Sequence, residues 1–81
     1  MLILYTKDHC AFGAMVVHAL EELDLSYEER NIADPGIVDE LIARGGKKQT
    51  PYLVDTEAGV EMYGSGEIVG HLMQHYGIKA E

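Results

Sequence analysis

The hydrophobic period of this chain changes twice within its first 32 residues, and that change restricts the fold more than any other feature. Leu2 to Tyr5 is a continuous apolar run, as expected of a strand buried on both faces. From Ala11 to about Asp24 the period becomes helical. Val16, Leu20 and Leu23 recur at i, i+4 and i+7 with Ala19 beside them, while Glu21, Glu22 and Asp24 face away. Ser26 to Ile32 reads as a second strand, with Tyr27 and Ile32 apolar and charges between them. Strand, helix and strand in this order form a crossover unit, so the two strands pair in parallel and the connection is right-handed.

The remainder alternates in the same way. Asp34-Pro35-Gly36 opens a second helix, with Asp34 as cap and Pro35 at the first helical position. Ile37, Val38, Leu41 and Ile42 form its apolar stripe, and Gly45-Gly46 ends it. A polar loop, Lys47 to Pro51, leads into Tyr52-Leu53-Val54. The turn Asp55 to Gly59 joins this strand to Val60–Tyr63 as a hairpin. Gly64-Ser65-Gly66-Glu67 leads into a last helix from about Glu67 to Tyr76, with Ser65 as N-cap and Ile68, Leu72 and Tyr76 facing inward. Gly77 stops it, and Ile78 to Glu81 is a tail. The order β-α-β-α-β-β-α predicts a single α/β domain over residues 1–81, with a four-stranded mixed sheet flanked by helices.

Composition narrows the function classes. The apolar fraction of 47% and charged fraction of 25% are those of a globular protein. Six basic against 14 acidic residues give a net charge of −8, which argues against nucleic acid and anionic membrane surfaces as partners. The single cysteine excludes an intrachain disulfide and a multi-cysteine zinc site, and it suits a reducing compartment. No apolar run approaches the roughly 18 residues that span a membrane. Met1-Leu2-Ile3-Leu4-Tyr5 lacks the basic flank and cleavage pattern of a signal peptide. The expected location is the cytoplasm.

In sheets of this kind, sites lie at the carboxyl ends of parallel strands, and Cys10 falls just past one such end. A thiol there is close to a helix N-terminus, where the partial positive charge and free N–H groups favour thiolate over thiol. Lys7 adds a cation on the same loop. With one thiol, the available chemistry is exchange with an external partner. Met15 and Val17 lie off the main stripe of the first helix and offer a candidate contact surface. His71 and His75 stand at i, i+4, a spacing able to bind metal. With no third ligand evident, they read as a solvated helix face, so no metal site is assigned.

Three stretches carry a family resemblance. Tyr5-Thr6-Lys7-Asp8-His9-Cys10-Ala11-Phe12-Gly13 looks like a strand end, lysine and Cys-x-x-Cys or Cys-x-x-Ser active site. Gln49-Thr50-Pro51 stands where a Thr-Val-Pro with cis-proline is found. Tyr63-Gly64-Ser65-Gly66-Glu67 matches a segment that holds the γ-glutamyl end of glutathione. In register and in this element order, the chain resembles a glutaredoxin, a small protein of thioredoxin-like fold, from Leu2 to about Tyr76. Ala19-Leu20-Glu21-Glu22-Leu23 with Tyr27-Glu28 also looks like the N-terminal domain of glutathione transferases. A transferase needs a second, helical domain, which 81 residues do not accommodate.

The resemblance implies a glutathione site made of Lys7, Phe12, Gln49, Thr50, Pro51, Ser65 and Gly66, with Cys10 as catalytic residue. It implies a cis Thr50-Pro51 bond facing Cys10, with the Thr50 backbone pairing with glutathione like an added strand. The N–H groups of Ser65 and Gly66 would receive one glutathione carboxylate. Lys7, Lys47 and Lys48 are three of the six cations and would form a positive patch around Cys10 for the other. Phe12 would be an exposed apolar wall beside the sulfur. The sequence departs from the family at Gly13, which leaves no second active-site thiol, at Ala11, and at Gly66, where many members have an aspartate.

The implied activity is a glutathione-dependent thiol–disulfide oxidoreductase that reduces glutathione mixed disulfides with one cysteine. Its partners would be glutathione and glutathionylated or disulfide-containing proteins. Two alternatives stay open. One is a dimeric carrier of a [2Fe-2S] cluster held by Cys10 and glutathione, for which the protein would otherwise be a monomer. The other is a glutathione-binding module with little turnover.

Overall fold

The five residues of β1, Leu2–Thr6, are all buried, and the rest of the molecule is arranged around them. The computed structural model describes residues 1–77; the tail Ile78 to Glu81 lies outside the described residues. After β1 come α1 (Ala11–Glu22), β2 (Glu28–Asn31), α2 (Ile37–Gly45), β3 (Tyr52–Asp55), β4 (Val60–Tyr63) and α3 (Ser65–Tyr76). The sheet order is β2-β1-β3-β4. β1 pairs in parallel with β2, from Ile3 opposite Glu28 to Thr6 opposite Asn31, as the crossover unit requires. β3 runs antiparallel to β1 and to β4. This is the expected mixed four-stranded sheet of a thioredoxin-like fold.

The unbroken apolar run of β1 has a direct cause. Successive side chains point to opposite faces of a sheet, and both faces are covered. Leu2 and Leu4 join Leu53 on the side of α1 and α3, where Val16, Leu20, Ile68 and Leu72 complete one core. Ile3 and Tyr5 join Tyr52 and Val54 on the other side, under Leu41 of α2. Full burial of a leucine such as Leu20 or Leu72 stabilises the fold by roughly 1.5–3 kcal/mol. On the α2 face the rings of Tyr5, Tyr52 and Tyr63 follow one another across three strands, with centroids 5.9 and 4.4 Å apart. The edge strands β2 and β4 need only one buried face and are correspondingly mixed in sequence.

Several local expectations change. α2 starts at Ile37, and its cap is Gly36, at a φ of 82° with no side-chain hydrogen bond. Asp34 and Pro35 instead belong to the turn before it, where the Asp34 carbonyl accepts from the Ile37 N–H at 3.2 Å. The left-handed conformation of Gly36 is one that glycine adopts readily, so the helix begins after it. Of the predicted stripe only Leu41 is fully buried, and Ile42 is 42% exposed. α3 begins earlier than predicted. Its cap is Gly64, at φ 93°, and Ser65 is the first helical residue rather than the cap.

His71 is the largest correction. It does not belong to a solvated face: its side chain is 9% exposed, against an Asp55 side chain with no exposure at all. Asp55, at the end of β3, accepts from the Glu57 and Ala58 N–H groups at 3.1 and 3.2 Å through Oδ1. Its Oδ2 accepts from His71 Nε2 at 2.8 Å and from the Tyr76 hydroxyl at 2.7 Å. Burial pushes the Asp55 carboxyl up, but the hydrogen bonds from His71, Tyr76 and Ala58 outweigh it and hold the group below the usual carboxylate range. The same bond to Asp55, with burial, pushes the Tyr76 phenol up to about 12. This clasp ties the last turns of α3 to the hairpin.

Candidate thiol site at the β1–α1 junction

The loop between β1 and α1 is pinned before it reaches the helix. Asn31 at the end of β2 donates to the Asp8 carboxylate at 2.8 Å, and the Thr6 hydroxyl donates to Glu29 at 3.1 Å. His9 then adopts a φ of 58°, a left-handed conformation uncommon outside glycine, and the chain turns into α1. Cys10 follows as the N-cap, with extended backbone angles of −95° and 106°. Its carbonyl accepts the first helical bond, from the Ala14 N–H at 2.9 Å.

The sulfur takes the place of the usual capping oxygen. The Gly13 N–H donates to Cys10 Sγ at 3.2 Å. By residue type alone Gly13 is only the absence of a second thiol. In the fold it is the residue whose backbone holds the first. The signal was present: an N-cap side chain reaches the N–H three residues on. Gly13 is buried, and a Cβ there would lie 3.4 Å from both Cys10 Cβ and Sγ. The position leaves little room for a larger side chain.

The second stretch of the predicted site meets this sulfur, and the third joins the second through Pro51. Thr50 Oγ1 is 3.9 Å from Cys10 Sγ. The Thr50-Pro51 bond is cis, as the resemblance implied. The Pro51 carbonyl accepts from the Gly64 N–H at 3.3 Å, which sets the start of α3 against this loop. The N–H groups in the first turn of α3, at Ser65, Gly66 and Glu67, have no intrahelical acceptor. Open space surrounds Gly66, where an added Cβ would meet nothing within 4 Å.

Charge is less evenly spread than the sequence implied. Lys7 lines two grooves. One holds Cys10 with His9 and His18, and it also carries Asp8, Glu21 and Glu29. The other lies toward α2 and brings Lys7 together with Lys48, Gln49 and Thr50. Lys47 is absent from both. Its Nζ sits 5.3 Å from the Tyr63 ring centroid, and its N–H and C=O bond the Tyr63 hydroxyl at 3.0 and 2.8 Å. A Cβ at Gly45 would overlap that hydroxyl, which explains a glycine at the end of α2. The predicted patch around Cys10 is therefore one-sided: cationic on the Thr50 side through Lys7 and Lys48, and of mixed sign on the β2 side. Phe12, two residues after Cys10, is 61% exposed and does not line the groove that holds the sulfur. Among the described residues no three His, Cys, Asp or Glu side chains converge as a metal site. No helix among the described residues is long and apolar enough to cross a membrane.

Residues 4–80 match the family described as glutathione S-transferase, N-terminal domain. Among solved structures, an epsilon-class glutathione S-transferase of the housefly, Musca domestica, is similar over 98% of this chain and 37% of its own, with a TM-score of 0.80 and 22% identity. The transferase URE2P6 of Phanerochaete chrysosporium, solved with oxidised glutathione, is 25% identical with a TM-score of 0.79, over 94% of this chain and 36% of its own. The thioredoxin-like protein BC3987 aligns over 91% of this chain and 97% of its own, with a TM-score of 0.78 and 23% identity. The chain thus spans a little over a third of the length of these transferases and nearly all of the thioredoxin-like protein. A comparison with curated protein sequences finds no match.

Proposed function

The chain belongs to the family of glutathione S-transferase N-terminal domains, and from that premise we propose that it binds glutathione beside Cys10 and uses that one sulfur for glutathione-dependent disulfide exchange, in the manner of a monothiol glutaredoxin. The observation that carries this reading is the environment of Cys10 Sγ. It is part-exposed, held by the Gly13 N–H at 3.2 Å, and next to Thr50 Oγ1 at 3.9 Å. A part-exposed sulfur with one backbone donor keeps an open side from which an external disulfide can be reached.

Glutathione fits the surrounding groups. The Thr50 backbone pairs with its cysteinyl portion beside Pro51. The free N–H groups at Ser65 and Gly66 take one carboxylate. Lys7, with Gln49 on the same groove, takes the other. The cycle balances with one protein thiol. The Cys10 thiolate attacks the glutathione sulfur of a protein–glutathione mixed disulfide. The target leaves as a thiolate and takes up a proton, and Cys10 carries glutathione in a disulfide. The thiolate of a second glutathione attacks that glutathione's sulfur, releasing oxidised glutathione and the Cys10 thiolate. The domain acts as one unit, in a reducing compartment such as the cytoplasm.

The second reading is a glutathione-binding module with little turnover. One pair of measurements separates them. Under the main reading, a glutathionylated peptide is deglutathionylated by the wild type in the presence of glutathione, Cys10→Ser loses that activity, and calorimetry shows that Cys10→Ser still binds glutathione. Equal activity in wild type and Cys10→Ser ends the main reading. Binding without turnover in the wild type selects the module. The [2Fe-2S] alternative is tested by anaerobic reconstitution with iron, sulfide and glutathione; no chromophore and no dimer ends it.

A further inference from the structure

The strand ends at Asn31, Thr6, Tyr52 and Tyr63 stand side by side at one end of the sheet, in the order β2-β1-β3-β4. Cys10 follows β1, the Thr50-Pro51 loop precedes β3, and the start of α3 follows β4. The groups that suit glutathione therefore lie on the β3–β4 side of the sulfur or, through Lys7, toward α2. The side toward β2 has no role in that reading.

That side is not flat. A groove of about 700 Å³ holds Cys10 and reaches Val17 and Glu21 on α1 and Glu29 and Asn31 on β2. Asp8, Glu21 and Glu29 line it with three carboxylates, against the one ammonium of Lys7; His9 and His18 are its other titratable members. Two of the carboxylates are held in place, Asp8 by Asn31 at 2.8 Å and Glu29 by the Thr6 hydroxyl at 3.1 Å. The groove toward α2 shares Lys7, adds Lys48 and has no carboxylate in its lining. A mixed disulfide has two unlike halves, and the two grooves sort them by charge. Glutathione carries two carboxylates and one ammonium, so the lysine side attracts it and the three carboxylates repel it. The protein half then meets the acidic groove, which favours positive charge near its cysteine.

Resting on the exchange reading above, we propose that the groove between α1 and β2 receives the protein half of the mixed disulfide. Asp8, Glu21 and Glu29 select targets with Lys or Arg beside the glutathionylated cysteine. As the Cys10 sulfur bonds to the glutathione sulfur, the disulfide bond to the target breaks. The target thiolate leaves along the acidic groove, with its own lysine or arginine as counter-charge, and takes up a proton.

Two labelled peptides test this on the full chain at about pH 8, above the ordinary histidine range. Each carries a glutathionylated cysteine, flanked by lysines in one and by glutamates in the other. Fluorescence anisotropy with Cys10→Ser reads the groove without turnover. Wild-type deglutathionylation, corrected for the uncatalysed rate of each peptide, reads the exchange. The lysine-flanked peptide is expected to bind about fivefold tighter or more, a preference nearly lost at roughly 1 M salt. Glu21→Lys should reduce that preference about threefold or more, and Glu29→Gln, which keeps an oxygen for the Thr6 hydroxyl, about twofold. Glu57→Lys makes the same charge change beyond Asp55, at the other end of the sheet, and controls for the net charge of −8. Equal binding of both peptides, a preference indifferent to Glu21→Lys and Glu29→Gln, or an equal effect of Glu57→Lys overturns the proposal. A groove-dependent preference without wild-type turnover supports the groove as a site for cationic peptides and ends the exchange reading alone.

Discussion

Cys10 and Asp55 stand at opposite ends of the same sheet, because β1 and β3 run antiparallel. Each ends a central strand or follows one, and each accepts hydrogen bonds from the protein. They differ in saturation. Asp55 is fully buried and accepts four bonds, two from the backbone of its own turn and two from α3. Cys10 is part-exposed, with one backbone donor and a long contact to Thr50. An anion whose acceptor sites are filled by its own protein is committed to holding that protein together. A sulfur with a single donor and an open side keeps capacity for a partner. The fold places a saturated carboxylate at one end and an open thiol at the other, and the two are separable by mutation.

The sharpest separation is Cys10→Ser. Exchange activity should fall to background, while the melting temperature moves by no more than a few degrees, since a serine oxygen still caps α1 through the Gly13 N–H. A large loss of stability in this variant would mean that the thiol end is structural as well. Asp55→Ala should do the reverse. It strands the His71 and Tyr76 donors in a buried site and costs about 3 kcal/mol, seen in urea unfolding, while the fraction that stays folded retains glutathione binding.

Acid adds a second route to the same end. The Asp55 carboxyl is held below its ordinary value of 3.8, so the folded state binds its proton less readily than the unfolded chain does. Its contribution is complete well above 3.8 and is lost as pH falls through the lower folded value. Wild type should therefore lose stability on acidification below about pH 4 with a limb that Asp55→Asn lacks, measured by thermal melts across that range. A smaller effect separates the lysines. Lys7→Glu should raise the KM for glutathione several-fold, more at low salt than at high, while Lys47→Glu should leave it nearly unchanged because that ammonium lies over Tyr63. Equal effects would restore the symmetric patch. The smallest change is expected at Gly13→Ala. A Cβ at 3.4 Å from the sulfur should slow exchange by about two- to five-fold, roughly 0.4–1 kcal/mol of barrier, with little loss of stability.

The parts of this molecule that could be read in advance are those written in short, repeating patterns. The apolar run of β1, the i, i+4, i+7 spacing in α1 and the glycine-punctuated hairpin each report a local requirement, so the element order and mixed sheet were legible. The three loops of the candidate site were legible through family-like spacing. The capping role of Gly13 could have been read from its distance along the chain from Cys10. His71 and Asp55 could not. They are 16 residues apart, and a histidine at i, i+4 from another on a polar helix face has the local pattern of a solvated residue. The cap of α2 is Gly36 and not Asp34; turn-forming and helix-capping residues overlap in type, and only the backbone angles of Gly36 separate them.

By itself the sequence determined which segments are strands and helices, that one thiol is available, and where along the chain the glutathione-like loops fall. These follow from side-chain periodicity and residue type, which act over a few positions. Only the tertiary structure decided that Lys47 turns to Tyr63 and away from the sulfur, that Asp55 gathers four donors, and that Lys7 borders two grooves of unlike charge. Those outcomes depend on which distant groups packing brings within a few ångströms, and no local pattern carries that information.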